Sequence, residues 1–245
     1  MLKDKVALIT GGGTGIGRAI ALRLASFGVH TALNYSRSEE EALKTQADCE
    51  ALGVRALAYR ADVADDSQVR EMVSTIVDTL GRLDVLVNSA GRTTFVDHAD
   101  LEGLKDEQWD QIMGVNVKGL FHCSRASFPE LKKQRGCIVN ITSVAGLNGL
   151  GSSIAYCASK AAAISVTKSL ARVMAPEVRV NSVAPGIVMT RWVKGQEDHV
   201  LRMGANAPLG RTASPDEVAE VAHSLMAHAS CVTGQTVVVD GGMFI

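Results

Sequence analysis

The chain has no surplus of positive charge: 25 lysines and arginines stand against 26 aspartates and glutamates, a net charge of −1. Binding to a nucleic-acid backbone or to anionic lipid draws on clustered cations, so neither is expected as a partner. No Cys-x-x-Cys pair occurs. The five cysteines, Cys49, Cys123, Cys137, Cys157 and Cys231, are odd in number and widely spaced, which suits reduced thiols in a cytoplasmic protein rather than a disulfide framework. The six histidines form no His-x-x-x-His pair and no His/Cys cluster, so no metal site is expected. No uncharged apolar run approaches the roughly 18 residues of a membrane span. The start, MLKDKVALIT, enters a strand-like run at once, without the pattern of a signal peptide. No linker rich in proline or serine, no internal repeat and no low-complexity segment divides the chain. Glycosylation sequons at Asn34 and Asn140 fall on expected strand ends and are read as chance.

What is present is 245 residues, 47% of them hydrophobic, enough for one large core. Short apolar runs alternate with helical periodicity throughout. That pattern predicts α/β architecture: a single Rossmann-type domain over residues 1–245, one doubly wound parallel sheet of about seven strands with helices on both faces. The first run, Lys5 to Thr10, is followed by GGGTGIG and the periodic RAIALRLASFG, closed by Gly28. Strand, glycine turn and helix is the setting of a dinucleotide site. The strict Gly-x-Gly-x-x-Gly register fails, because positions 14 and 16 are Thr and Ile; the chain offers Thr10-Gly11-x-x-x-Gly15-Ile16-Gly17. Backbone without side chains lets a pyrophosphate approach the N–H groups and positive dipole of the helix. A glycine turn with no ligand is the alternative.

The second strand, Thr31 to Tyr35, lacks the terminal Asp or Glu that binds the ribose 2′-hydroxyl of NAD; Tyr35 stands there, followed by Ser36 and Arg37. A 2′-phosphate is then not repelled, and an arginine with hydroxyls can hold it. NADP(H) is favoured over NAD(H), with Arg37 as a solvated loop cation the alternative. Glu39, Glu40 and Glu41 suit the first turn of the next helix. After a strand near Val54 to Tyr59, Asp62 precedes Val63 and can accept from an adenine amino group or from nearby backbone N–H groups. Asn88-Ser89-Ala90-Gly91 offers small residues where backbone would run beneath a cofactor. One helix is expected over Trp109 to Phe128, with Asn116 either a structural clamp or a member of a polar relay. Pro185-Gly186 turns the chain after the sixth strand, and Ile187, Val188 and Thr190 would pass the nicotinamide side of a cofactor. Residues 190–208 have weak periodicity and are the expected substrate lid, with Trp192 and Met203 its apolar contacts. Ser214-Pro215-Asp216-Glu217 is a helix start with a capping box. The apolar tail suggests subunit contact.

The stretch Ser143 to Lys160 carries the chemistry. If Tyr156 is helical, Lys160 lies one turn on, on the same face. A phenol with its usual pKa of about 10 is a poor base at neutral pH, and an adjacent ammonium favours the phenolate. Ser143, delivered by a strand end, can donate to an oxygen on which charge develops. Tyr-x-x-x-Lys alone is common on solvated helices; the other segments give it weight. Ser165 to Lys168 matches Ser-x-x-Lys, but no Lys-Thr-Gly follows, and it is set aside.

Together these pieces resemble the short-chain dehydrogenase/reductases from end to end: TGGGTGIG, Asp62-Val63, NSAG, Asn116, Ser143, Tyr156-x-x-x-Lys160 and Pro185-Gly186 follow in that family's order and spacing. The resemblance implies that Tyr156 is the general acid in reduction and the base in oxidation. It implies that Lys160 lowers the phenol's pKa and holds the nicotinamide ribose, that Ser143 polarises the carbonyl, and that Asn116 supports a water feeding the relay. Thr10, Gly11, Gly15 and Gly17 would form the phosphate loop, and Asp62 and Val63 would flank the adenine. Asn88 matches the first Asn of the family's Asn-Asn-Ala-Gly; Ser89 departs from the second. Length, the NYSR stretch and the chain end look most like 3-oxoacyl-acyl-carrier-protein reductases, which are NADPH-dependent homotetramers. A small-molecule or acyl-thioester carbonyl substrate follows. One departure concerns the carrier protein: Pro176 and Glu177 stand where a cation is expected, with Lys132, Lys133 and Arg135 as substitutes. The alternatives are a sugar/polyol or xenobiotic carbonyl dehydrogenase using NAD, and a cofactor-binding sensor without catalysis.

Overall fold

Val6–Thr10 (β1) is buried at every position, as a strand covered on both faces must be. Successive side chains point to opposite sides: Ala7 and Ile9 enter one apolar cluster, Val6 and Leu8 the other. The computed structural model describes residues 2–193, 195 and 197–244. Along them run α1 (Gly15–Ser26), β2 (His30–Tyr35), α2 (Glu39–Ala51), β3 (Ala56–Arg60), α3 (Asp66–Leu80), β4 (Val85–Asn88), α4 (Asp106–Met113) and α5 (Leu120–Gln134). There follow β5 (Cys137–Ile141), α6 (Ala145–Asn148), α7 (Ile154–Met174), β6 (Arg179–Pro185), α8 (Glu197–Ala205), α9 (Pro215–Ala227) and β7 (Thr236–Val239).

The strands form one sheet in the order β3-β2-β1-β4-β5-β6-β7, every neighbouring pair parallel. Helices α1 and α9 bury their apolar stripes on one face, and α3, α5 and α7 on the other. This is the expected doubly wound fold. Its strand order reverses between β1 and β4, and such a reversal opens a crevice beyond the carboxyl ends of the strands. The expected capping box is present at α9: Glu217 N–H donates to Ser214 Oγ at 3.2 Å and Ser214 N–H to Glu217 Oε2 at 2.9 Å.

Two segments differ from the sequence reading. The single helix expected over Trp109 to Phe128 is broken: α4 and α5 are joined by a π-helical turn, Gly114–Gly119. Inserted π turns of this kind recur at functional sites. Gly119 makes close packing possible, since a Cβ there would stand 2.7 Å from Val63 Cγ2. The expected lid contains a short 3₁₀ turn, Arg191–Val193, before α8; its residues 194 and 196 lie outside the described residues, as does Ile245 of the tail.

Candidate active site

Thr10 and Asn88 pair across the β1–β4 switch point. A cavity of about 760 Å³ opens beyond them, with Gly11, Gly15, Ile16 and Gly17 on its wall together with Ser143, Tyr156 and Lys160. Gly11 and Gly15 have φ of +63° and +53°, the left-handed region that glycine enters without strain. A Cβ on Gly17 would stand 2.3 Å from the Gly11 carbonyl oxygen, so the loop folds back onto the start of α1. Thr14 at that start makes no side-chain cap, and no acidic residue occupies the first turn. A bare, uncapped helix start with free N–H groups fits an anionic diphosphate. The donor set therefore suits a dinucleotide.

Thr10 does not itself line the cavity. Its hydroxyl accepts from the N–H groups of Ser89 and Ala90, both at 3.0 Å, which stitches the end of β1 to the Ser89-Ala90-Gly91 segment on the cavity wall. Asn88 is likewise turned away. Its Nδ2 donates to Ser124 Oγ at 3.1 Å and Asn140 Oδ1 at 2.9 Å, and Asn140 continues to Thr167. The side chain expected to meet the cofactor thus enters a buried network joining β4, α5, β5 and α7.

Ser143 follows β5, and its Oγ accepts from Ala145 N–H at 3.2 Å. The chain beyond it lies directly against α7: a Cβ on Gly146 would come within 2.5 Å of the Lys160 backbone. Ser153 caps α7 by accepting from the Tyr156 N–H at 3.3 Å. Lys160 is 6% exposed; its Nζ donates to the Ile141 carbonyl at 2.9 Å and sits 5.7 Å from the Tyr156 ring centre. Burial pushes the Tyr156 phenol up to about 12, with the Ser143 hydroxyl pulling the other way. Burial also brings the Lys160 ammonium down to about 8. In the free chain, then, burial opposes the acidification of the phenol that its lysine is expected to give. Loss of water around the phenolate outweighs the help the Ser143 hydroxyl gives.

Asn116 sits in the π turn and is buried. Its Nδ2 donates to the Arg92 carbonyl and to Ser159 Oγ, both at 2.9 Å, while Oδ1 accepts from Arg92 N–H at 2.8 Å. Both amide protons are used, which gives the side chain the contacts of a clamp. It ties the chain after Gly91 to α7.

Pro185, Gly186, Val188 and Thr190 all line the cavity. Ser36, Arg37, Asp62 and Val63 do not: the first three are exposed and Val63 is packed in the core. Asp62 accepts from Ala64 N–H at 2.9 Å, the backbone alternative. The Tyr35 hydroxyl donates to Glu39 Oε1 at 2.8 Å, which brings a carboxylate near the end of β2 that the sequence reading left without one. Arg191, unanticipated, lines the cavity and reaches across to α2. Trp192 meets the Tyr156 ring edge-on, with centres 5.8 Å apart. Phe95, Leu150, Met203 and Phe244 complete an apolar wall; apart from Met203, named with Trp192 from the lid, these gave no sequence signal. Among the described residues no group of His, Cys, Asp and Glu could hold a metal, and no helix is long and apolar enough to cross a membrane.

Residues 11–244 match the family described as Enoyl-(Acyl carrier protein) reductase. A Staphylococcus aureus protein named 3-oxoacyl-acyl-carrier-protein reductase FabG is 39% identical over 249 residues, covering 100% of both chains. Among solved structures, a short-chain type dehydrogenase/reductase from Mycobacterium marinum superposes with a TM-score of 0.91 at 33% identity, over 99% of this chain and 96% of that one. An NAD+-bound xylitol dehydrogenase gives 0.89 at 29% identity, over 98% and 99%. With its sheet, glycine turn and Ser143, Tyr156 and Lys160 on one cavity, the chain belongs to the short-chain dehydrogenase/reductases, oxidoreductases that act on CH–OH and keto groups.

Proposed function

We propose that this chain is an NADP(H)-dependent reductase converting a ketone to a secondary alcohol, with 3-oxoacyl thioesters of an acyl carrier protein as its substrates. One observation carries the reading: a single cavity holds the uncapped glycine turn together with Ser143, Tyr156 and Lys160. The full-length likeness to the S. aureus reductase and the apolar wall of Phe95, Leu150, Trp192 and Met203 support an acyl substrate.

A bound nicotinamide dinucleotide supplies the hydride. Gly11, Gly15, Ile16 and Gly17 would hold its diphosphate. Ala90, Gly91, Pro185, Gly186, Val188 and Thr190 would border the rest. Tyr156 is protonated at neutral pH, and more firmly so because burial raises it to about 12; it would give its Oη proton to the carbonyl oxygen of the substrate. The Ser143 hydroxyl donates to the same oxygen. Lys160 offsets the phenolate left behind, which regains its proton from solvent. Asn116 acts as a positioning residue. Lys132 and Lys133 pair with Glu177 and Glu130, which leaves Arg135 as the cation of that cluster for an acidic carrier. A cytoplasmic setting is supported by the five free cysteines. A homotetramer is supported by exposed Phe121 on α5 and Val173 on α7.

A second reading, an NAD-dependent polyol dehydrogenase, draws on the Tyr35–Glu39 pair at the end of β2 and on the xylitol dehydrogenase likeness. Initial rates on acetoacetyl thioester with NADPH and NADH, and on xylitol with NAD+, separate the two. Faster thioester reduction with NADPH is expected; dominant xylitol oxidation with NAD+ would contradict it.

A further inference from the structure

Among the described residues two cations line the cavity, Lys160 and Arg191. Lys160 is committed to the Ile141 carbonyl beside Tyr156. Arg191 extends toward α2: its Nη1 donates to Ser38 Oγ at 3.1 Å and lies 3.6 Å from Glu41 Oε1. Ser38 comes three residues after Tyr35, the last residue of β2, and the end of this strand is where dinucleotide folds read the ribose 2′ position. A guanidinium recognises carboxylate and phosphate with the same forked donors. The Arg191–Glu41 pair is half exposed on both sides, so it is weak and exchangeable. Arg37, to which the sequence assigns the 2′-phosphate, is exposed and stands outside the cavity wall.

We propose that Arg191 is the cation that discriminates NADP(H) from NAD(H) by binding the 2′-phosphate, and that Glu41 holds its place in the free chain. The proposal rests on the NADP(H) reading above. A phosphate of charge near −2 attracts the guanidinium more strongly than a half-exposed carboxylate and displaces it. Arg191 also shares its short 3₁₀ turn with Trp192, whose ring packs on Tyr156. Capture of the phosphate therefore fixes the turn that carries the indole over the acid.

Calorimetric titration of the full chain with NADPH and with NADH tests this directly, for wild type, Arg191→Gln, Arg191→Lys, Arg37→Ala and Glu41→Gln. Arg191→Gln is expected to weaken NADPH by about tenfold or more and NADH by less than about twofold. Arg191→Lys should recover part of the loss, because it restores the charge without the fork. Glu41→Gln should tighten NADPH modestly and leave NADH unchanged. Equal weakening of both cofactors by Arg191→Gln would overturn the proposal, because the residue would then grip the shared diphosphate or only brace its turn. An unchanged NADPH affinity would overturn it too, as would a loss of NADPH affinity in Glu41→Gln. A wild type that binds NADH more tightly than NADPH defeats the cofactor reading itself, so the two failures are distinguishable. Arg191 is exposed, and an unchanged melting temperature confirms that the variants fold.

Discussion

At Tyr156 and Lys160 burial drives two titrations towards the uncharged form. The phenol holds its proton up to about 12, while the ammonium loses its own above about 8. In the reduction we propose, the acid would thus be present throughout the working range, and the charge that offsets its phenolate would be the group that fails first. The pH profile of kcat/KM, which reports ionisations of the free enzyme, should be flat near neutrality and fall by one proton as pH rises through about 8; a plateau to pH 10 would contradict this. Stability follows the same shifts. Lys160 is depressed from 10.5 to about 8, so the unfolded chain binds more protons between those values and stability should rise with pH across that window. Tyr156, raised from 10.0 to about 12, contributes stability that is lost as pH rises through the folded value. Melting curves of Lys160→Met should lack the first rise. The spacing of Ser143, Tyr156 and Lys160 was legible in the sequence because all three follow from one strand end and one helix face. The orientations of Thr10 and Asn88 were not, since either side of a strand end accepts a polar side chain. The Arg191–Ser38 contact spans 153 residues of chain, and no local pattern encodes it.

At the scale of elements, the glycine turn shows how closely backbone packing can be specified. Gly17 faces the Gly11 carbonyl, a backbone atom that cannot swing aside. Gly17→Ala should destabilise the fold by about 1–3 kcal/mol and weaken dinucleotide binding, both read by denaturant melts and cofactor titration. A variant with wild-type stability and affinity would show that the turn does not hold this geometry. Helices α1, α2 and α9 were legible from glycine, acidic and capping-box signals at their ends. The π turn was not, because inserting one residue between Gly114 and Gly119 leaves the apolar pattern nearly continuous. Its effect is large nonetheless: it sets Asn116 against Arg92 and Ser159.

For the molecule as a whole, seven parallel strands and the switch point between β1 and β4 follow from alternating strand and helix patterns, and the cavity follows from that topology. Assembly lies beyond a single chain. Exposed Phe121 and Val173 on α5 and α7 lead us to expect a four-chain species in sedimentation velocity, dissociating when both are changed to Glu; a concentration-independent monomer would contradict it. The proposal that Tyr156 delivers the proton is tested most directly by Tyr156→Phe, measured for NADPH affinity and for turnover on a 3-oxoacyl thioester. Affinity should stay near wild type while turnover drops by about 10²–10⁴-fold. Near-normal turnover without the phenol hydroxyl would show that Tyr156 is not the acid.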